Sequence, residues 1–370
     1  MGIAGIQKHL KVPLLPLSHM KRRVSRQINI GGVKVGGEAP VVVQSMTNTP
    51  TQDVPATVRQ IDRLVEAGCE LVRLAVPDRQ SALSLKGIKS QVSVPIIADI
   101  HFDYKLALAA IESGVDGLRL NPGNIGGKRK IREVVAAARD HGVPIRIGVN
   151  SGSLHRSILQ KYGHPTPEAM VESAMGHIRI LEELDFNLLK VSLKSSNVSQ
   201  MISAYRLLSE RVDYPFHLGV TEAGSLISGT VKNSLGIGLL LSEGIGDTIR
   251  VSLTCDPVEE VKVAYEILKA LGLRQRGAEI ISCPTCGRCE INLLALVEEV
   301  EKALNQITSP IKVALMGCVV NGPGEAREAD IGIACGQSHG TLFKKGRVIR
   351  KVAESDLARV LIEEVRKMVS

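Results

Sequence analysis

Tryptophan is absent from the 370 residues, and only four phenylalanines and five tyrosines stand in for it. That scarcity removes most of the stacking platform on which single-strand nucleic-acid binders hold bases. Long apolar runs are missing too: "LGIGLLL" (235–241) stops at Ser242 and Glu243, far short of the roughly 20 apolar residues that span a bilayer. Acid is missing from residues 1–37, which carry Lys8, Lys11, Lys21, Arg22, Arg23, Arg26 and Lys34 and so hold nearly all of the net charge of +8. The basicity belongs to this tail, and the rest of the chain is close to neutral. The tail has no secretory apolar core, because "VPLLPL" is short and broken by prolines; basic and acid-free, it leaves an organelle transit peptide as an alternative, and its poverty in serine ranks a cytoplasmic extension first. The expectation is a cytoplasmic protein with no membrane span and no nucleic-acid partner.

Cysteine is sparse and uneven. Three of the seven fall in "CPTCGRC" (283–289), a spacing of metal-binding type and an odd total that does not suit a secreted disulfide framework.

From residue 41 onward, short β-branched runs alternate with helical stretches, which predicts βα units around a parallel sheet. The strand candidates are 41–47, 71–76, 95–100, 117–123, 144–150, 188–194, 216–224 and 247–253. Eight is the count of a TIM (β/α)8 barrel, and "QSMTNTPTQD" after the first strand lacks the glycine fingerprint of an open dinucleotide-binding sheet. The first helix, "DVPATVRQIDRLVEAG", is read with Asp53 as N-cap, Val58, Ile61 and Val65 on its apolar face and Gly68 at its end. "RQINIGGVKVGG" reads as a hairpin that plugs the bottom of the barrel. Past the basic "RQRG", residues 278–370 read as a smaller α+β domain. The expected division is a tail over 1–21, a substrate-binding barrel with its hairpin over 22–277, and the cysteine-bearing domain over 278–370.

Barrel chemistry gathers at the C-terminal strand ends. There the sequence places Arg73, Arg119, Arg146 and Lys194, with Asn121 two residues beyond Arg119 and Asn150 four beyond Arg146, offsets that keep side chains on one face of a strand. Four cations crowded into one mouth repel unless an anion binds them or carboxylates pair with them, and a di- or polyphosphate suits the planar arginine fork and the movable lysine. The rim acids are few: Asp99 and Asp103 flanking His101, and Glu222 in "VTEAG", placed to exchange a proton with a substrate hydroxyl. Asp247 and Arg250 read as structural.

The pair Cys283–Cys286 suits zinc or an iron–sulfur cluster, and spacing alone leaves both open. A zinc ribbon would need a second such pair. The bacterial ferredoxin run would need a cysteine where Leu293 stands. Cys318 opens a glycine-rich loop, "CVVNGPGEAREADIG", and is the best third thiolate, because glycine lets backbone amides approach sulfur. Cys335, Cys69 and Cys255 read as small buried side chains.

Taken together, "VVVQSMTNTPTQD", "ADIHFD", "LRLNPGNIG", "RIGVNSGSL", "GVTEAG", "GDTIRVSLT", "CPTCGR" and "MGCVVNGPGEAREADIG" resemble the bacterial 4-hydroxy-3-methylbut-2-enyl diphosphate synthases of the non-mevalonate isoprenoid pathway, from about residue 22 to the end. The resemblance implies a TIM barrel followed by a domain related to those of sulfite and nitrite reductases, holding one [4Fe-4S] cluster per subunit. It also implies a homodimer in which the cluster domain of one subunit caps the barrel of the other. The implied reaction is a two-electron reductive ring opening and dehydration of 2-C-methyl-D-erythritol 2,4-cyclodiphosphate, with flavodoxin or ferredoxin as electron donor. By position the resemblance assigns the cluster to Cys283, Cys286, Cys318 and Glu325. It assigns the diphosphate to Arg73, Arg119, Arg146, Asn150 and Lys194, with Ser252 in addition, and the acid near the substrate hydroxyls to Glu222. Asp99 and His101 complete the candidate catalytic set with Glu222 and Glu325. Cys289 matches no ligand position.

Overall fold

The computed structural model describes residues 21–318, 324 and 326–369. The expected tail and Glu325 therefore lie outside the described residues, apart from Lys21. Contacts divide the chain into two units, residues 1–274 and 275–370.

The first unit opens with β1 (Ile28–Ile30) and β2 (Val33–Val35), an antiparallel hairpin in which Ile28 faces Val35. The eight strands that follow are β3 (Val42–Met46), β4 (Leu71–Ala75), β5 (Ile96–Asp99), β6 (Gly117–Arg119), β7 (Ile145–Asn150), β8 (Leu189–Lys194), β9 (His217–Leu218) and β10 (Thr248–Ile249). They run parallel in the order β8-β7-β6-β5-β4-β3-β10-β9, and a parallel bridge from Val191 to Phe216 joins the two ends into a ring. Each of the eight expected strands is present, as a TIM barrel requires. The last two are much shorter than expected. At Gly219 a side chain would meet the Arg250 carbonyl at 2.3 Å, so the chains leave regular pairing and bring Glu222, Arg250 and Ser252 onto the rim beyond the strands.

The barrel floor is apolar. Ile28, Ile30 and Val35 of the hairpin pack with Val42, Leu71 and Ile97 from the starts of β3, β4 and β5, which is the plug the sequence predicts. Arg22 reaches Asp247 at 3.1 Å and Arg23 lies 3.9 Å over the Phe216 ring, so these two basic residues are fastened to the barrel.

The helix Val54–Glu66 begins at Asp53, whose carboxylate accepts from the Ala56 amide, and ends before Gly68 at φ 105°. Its buried face is Thr57, Gln60, Ile61 and Leu64, whereas Val65 is exposed. The expected face is thus rotated by about one residue. Polar Gln60 is drawn inward because its amide both donates to the Asn48 side chain and accepts from the Asn48 backbone.

The second unit is a five-stranded mixed sheet: β11 (Ala278–Ser282), β12 (Ile311–Met316), β13 (Ile331–Gly336), β14 (His339–Lys344) and β15 (Arg347–Ala353), in sequence order with the first three parallel. Alternation along β12 sends Val313 and Leu315 toward the helices Leu293–Leu304 and Leu357–Val369, and Ala314 and Met316 toward Phe343 and Ala329 on the other face. Cys69 and Cys335 are buried as expected. Cys255 is not: it sits one residue before the helix N-cap Asp256, half-exposed, where the chain crosses the rim.

Candidate active site: a cationic barrel mouth and a cysteine loop

Inward-facing alternation builds the mouth. Asp99, the last residue of β5, pairs in register with Arg119, and Arg119 with Arg146, which pairs in turn with Lys190. Asp99 lies 3.6 Å from Arg73 and 3.4 Å from Arg119. Burial pushes this carboxyl up, but Arg73, His101, Arg119 and Arg146 together outweigh it and hold it well below the usual carboxylate range. His101 stands just beyond the strand with its side chain 55% exposed, 3.6 Å from Asp99 and 3.2 Å from Arg119. Asp103 faces elsewhere, capping the helix Tyr104–Glu112 through the Lys105 amide.

Asn121 fixes the height of Arg119. Its amide exchanges two 2.8 Å hydrogen bonds with the backbone of Gly148, whose carbonyl also accepts from Arg119 at 3.2 Å. The ladder sets Asn150 beside Lys194 at the ends of β7 and β8.

Acid does not balance base here. Asp99 serves Arg73 and Arg119, and Glu260, from the helix Pro257–Ala270, serves Arg250 at 3.3 Å. Among the described residues Arg146, Lys190 and Lys194 have no ion pair. Arg146 is 3% exposed with Nε and Nη1 lacking a hydrogen-bond partner, and Lys190 is 2% exposed with Nζ likewise bare. His217, fully buried, hydrogen-bonds Thr248 through Nδ1 and leaves Nε2 without a partner. Burial, then the neighbouring cations, pushes all four well below their ordinary values. Keeping a bare ammonium charged in such surroundings costs several kcal/mol; releasing its proton at pH 7 costs about 5 kcal/mol from an ordinary value near 10.5. The two are of the same order, so an anion bound beside these groups would tip the balance toward the charged form.

The paired-carboxylate reading therefore holds for Arg73 and Arg119 and, among the described residues, not for Arg146 and Lys194. Lys190 and His217 escape sequence reasoning, although the even offset from Lys194 to Lys190 marks the latter as inward-facing. Arg250, read as structural, is tied to Glu260 and still acts on Lys194. Glu222 is exposed at φ 52° without an ion pair among the described residues, a conformation a non-glycine residue holds at a cost of order 1–3 kcal/mol. Ser252, half-buried, accepts from Asn233 through its carbonyl.

In the second unit, Cys283 follows β11 directly and Cys318 follows β12 by two residues. Because Ser282 pairs with Leu315, the parallel ladder delivers both to the same end of adjacent strands. The Gly317 amide donates to Cys283 Sγ at 3.2 Å. Cys286 lies exposed in the loop between, and its carbonyl accepts from the Cys289 amide. The Cys289 thiol donates to the Ile291 carbonyl and packs where a side chain on Gly317 would stand. No group of three or more metal-ligating side chains forms among the described residues. Paired thiolate positions at neighbouring strand ends with an amide aimed at sulfur are nonetheless the donor chemistry an iron–sulfur cluster uses.

Fold and site together define a (β/α)8 barrel with buried basic side chains in its mouth, followed by a small α+β unit that carries the cysteine loop. Comparison with known proteins agrees: the model described as "GcpE TIM-barrel domain" matches residues 25–265 and "GcpE protein C-terminal domain" matches 279–367. The chain belongs to the GcpE family. Among its relatives, the "4-hydroxy-3-methylbut-2-en-1-yl diphosphate synthase (flavodoxin)" of Geobacter sulfurreducens is 62% identical over 346 residues, 94% of this chain and 98% of that protein. The protein of the same name from Thermodesulfovibrio yellowstonii is 61% identical over 348 residues, 94% of this chain and 100% of its own length. A solved dihydropteroate synthase from Stenotrophomonas maltophilia overlays 67% of this chain and 98% of its own, at 16% identity and a TM-score of 0.49.

Proposed function

We propose that the chain is an oxidoreductase that opens the ring of 2-C-methyl-D-erythritol 2,4-cyclodiphosphate and removes water to give (E)-4-hydroxy-3-methylbut-2-enyl diphosphate. Family membership and near-full-length identity to synthases of that product support the reaction. The observation that carries the substrate assignment is the set of buried cations without carboxylates, Arg146, Lys190 and Lys194, a site whose charge only a polyanion completes. Arg73 and Arg119, already held by Asp99, present guanidinium edges to the same diphosphate, and Asn150 and Ser252 add hydrogen bonds to it. His101, bridged to Asp99 and Arg119, orients the substrate at the rim. Glu222 holds or returns a proton at a substrate hydroxyl.

Cys283, Cys286 and Cys318 with Glu325 would hold one [4Fe-4S] cluster per chain, which supplies electrons one at a time when bound. Three thiolates and one carboxylate make an uneven cage, and the carboxylate is the weaker donor for iron. Flavodoxin is the proposed electron donor, as the relatives' names indicate, with ferredoxin the alternative; reduction by each in turn, followed by product formation, separates them. The active form is proposed to be a homodimer, on the strength of the family resemblance. A cytoplasmic location fits the absence, among the described residues, of any helix long and apolar enough to cross a membrane.

The test is steady-state kinetics. Arg146→Ala should raise KM for the cyclodiphosphate by about 10- to 100-fold, the loss of one or two charge-assisted hydrogen bonds, and leave any cluster absorbance intact. An unchanged KM would remove Arg146 from the substrate site.

A further inference from the structure

The hairpin of β14 and β15 carries charge of one sign. Residues 339–353 hold Lys344, Lys345, Arg347, Arg350 and Lys351 and no acid. Glu364 pairs with Lys344 at 2.7 Å, whereas the other four are exposed and have no ion pair among the described residues. Unlike the cations of the barrel mouth they stand in solvent, where like charge steers a partner and does not enclose a ligand.

Two apolar side chains lie among them: Val348 is 71% exposed and Ile349 51%. β15 is the edge of its sheet, and a bare edge can template another strand. This one is blunted by its basic side chains and by a bulge at Ile349, where Phe343 faces Val348 and Leu342 faces Arg350. The edge therefore offers side chains: a small apolar centre in a polar, basic rim, the composition of a transient interface.

The ladder ties this patch to the cysteine end of the sheet. Met316 pairs with Ala334, Ala334 with Thr341 and Thr341 with Lys351, so Lys351 stands level with the end of β12, two residues before Cys318. Three strand spacings separate β12 from β15, which at roughly 4.8 Å each is about 14 Å. Arg327, exposed and two residues beyond Glu325 in sequence, lies with its Cγ 3.8 Å from where a side chain on Gly346 would begin, so the segment after the cysteine loop meets the hairpin turn. Electron transfer falls steeply with distance, and a carrier with an acidic face would be attracted to this edge, within reach of the cysteine end.

We infer that the β14–β15 hairpin is the docking surface for the electron carrier, an acidic redox protein that seats on Val348 and Ile349 and is steered there by Arg347, Arg350 and Lys351. The inference rests on the reading above that a carrier of flavodoxin type supplies this chain, and names where it lands.

Two measurements on the full chain test it. Calorimetric titration with oxidised flavodoxin at low and high salt reads binding without turnover. Turnover of the cyclodiphosphate by the cluster-loaded protein is then driven either by reduced flavodoxin or by a small chemical reductant. The triple variant Arg347→Glu, Arg350→Glu, Lys351→Glu should bind flavodoxin about tenfold more weakly or worse at low salt and lose most of the salt dependence. Its KM for flavodoxin should rise by the same factor, with turnover under the small reductant unchanged. Val348→Ser with Ile349→Ser keeps every charge and should weaken binding at both salts; it decides the matter if the triple variant fails to fold. Flavodoxin affinity retained in both variants overturns the docking surface and leaves the donor reading standing, even where the same residues capture RNA or an acidic vesicle. Equal loss of turnover under the small reductant also overturns it, because the residues would then serve the fold. A wild type that neither binds flavodoxin nor accepts its electrons, yet turns over with the small reductant, overturns the donor reading and this surface with it.

Discussion

Lys190 shows how one side chain links stability to function. In the unfolded chain its amine keeps a proton up to about 10.5, whereas in the fold burial first, then Arg146 and Arg73, push it well below that value against the opposing pull of Asp247. Between the lowered value and about 10.5 the unfolded state binds more protons than the folded one. Stability from this residue therefore rises with pH across that window. Lys190→Met should raise the Tm of the ligand-free protein at neutral pH and flatten this slope, because an apolar chain of similar volume replaces an amine with no partner. The same variant should bind the cyclodiphosphate more weakly. A lower Tm and unchanged binding would show the amine to be satisfied without substrate. Cys289→Ser belongs to the same scale: its thiol donates to the Ile291 carbonyl and packs against Gly317, so iron content should be retained, and loss of iron would make it a ligand. Of the residues themselves, Arg73, Arg119, Arg146 and Lys194 were legible from strand parity. The helix carboxylate of Glu260 that holds Arg250, and the left-handed backbone of Glu222, were not. Both depend on where the chain turns after the sheet ends, and neighbouring residue types do not encode that.

At the scale of elements, the pleat of β7 positions the mouth. Gly148 has no side chain because one would stand 2.7 Å from Arg119 Nε, and its two backbone groups hold Asn121. Gly148→Ala should push Arg119 off Asp99 and raise KM for the cyclodiphosphate about tenfold or more, with iron content unchanged; steady-state kinetics with iron assay checks both, and a normal KM would show that Arg119 yields without consequence. Element identities were legible because hydrophobic period and turn residues agree along most of the chain. Strand ends were less so: β9 and β10 stop several residues early, at the backbone contact of Gly219 with Arg250, which joins segments about thirty residues apart. The face of the helix Val54–Glu66 was misjudged for a similar reason, since Gln60 turns inward to serve Asn48.

For the whole molecule, two units with separate cores divide the chemistry. The barrel offers buried basic side chains without carboxylate partners among the described residues, and the smaller unit offers cysteines at the shared end of two parallel strands. Composition already pointed this way, because charge outside the tail is nearly balanced and cysteine is concentrated in one loop. The identity of the metal was beyond spacing alone, which suits zinc as well as iron. The most direct test of the account is anaerobic quantitation of iron and sulfide in the purified chain, paired with turnover of the cyclodiphosphate under a strong one-electron reductant. The account predicts a brown protein with about four irons per chain that forms the linear diphosphate. A colourless, zinc-loaded protein that leaves the cyclodiphosphate untouched would contradict it.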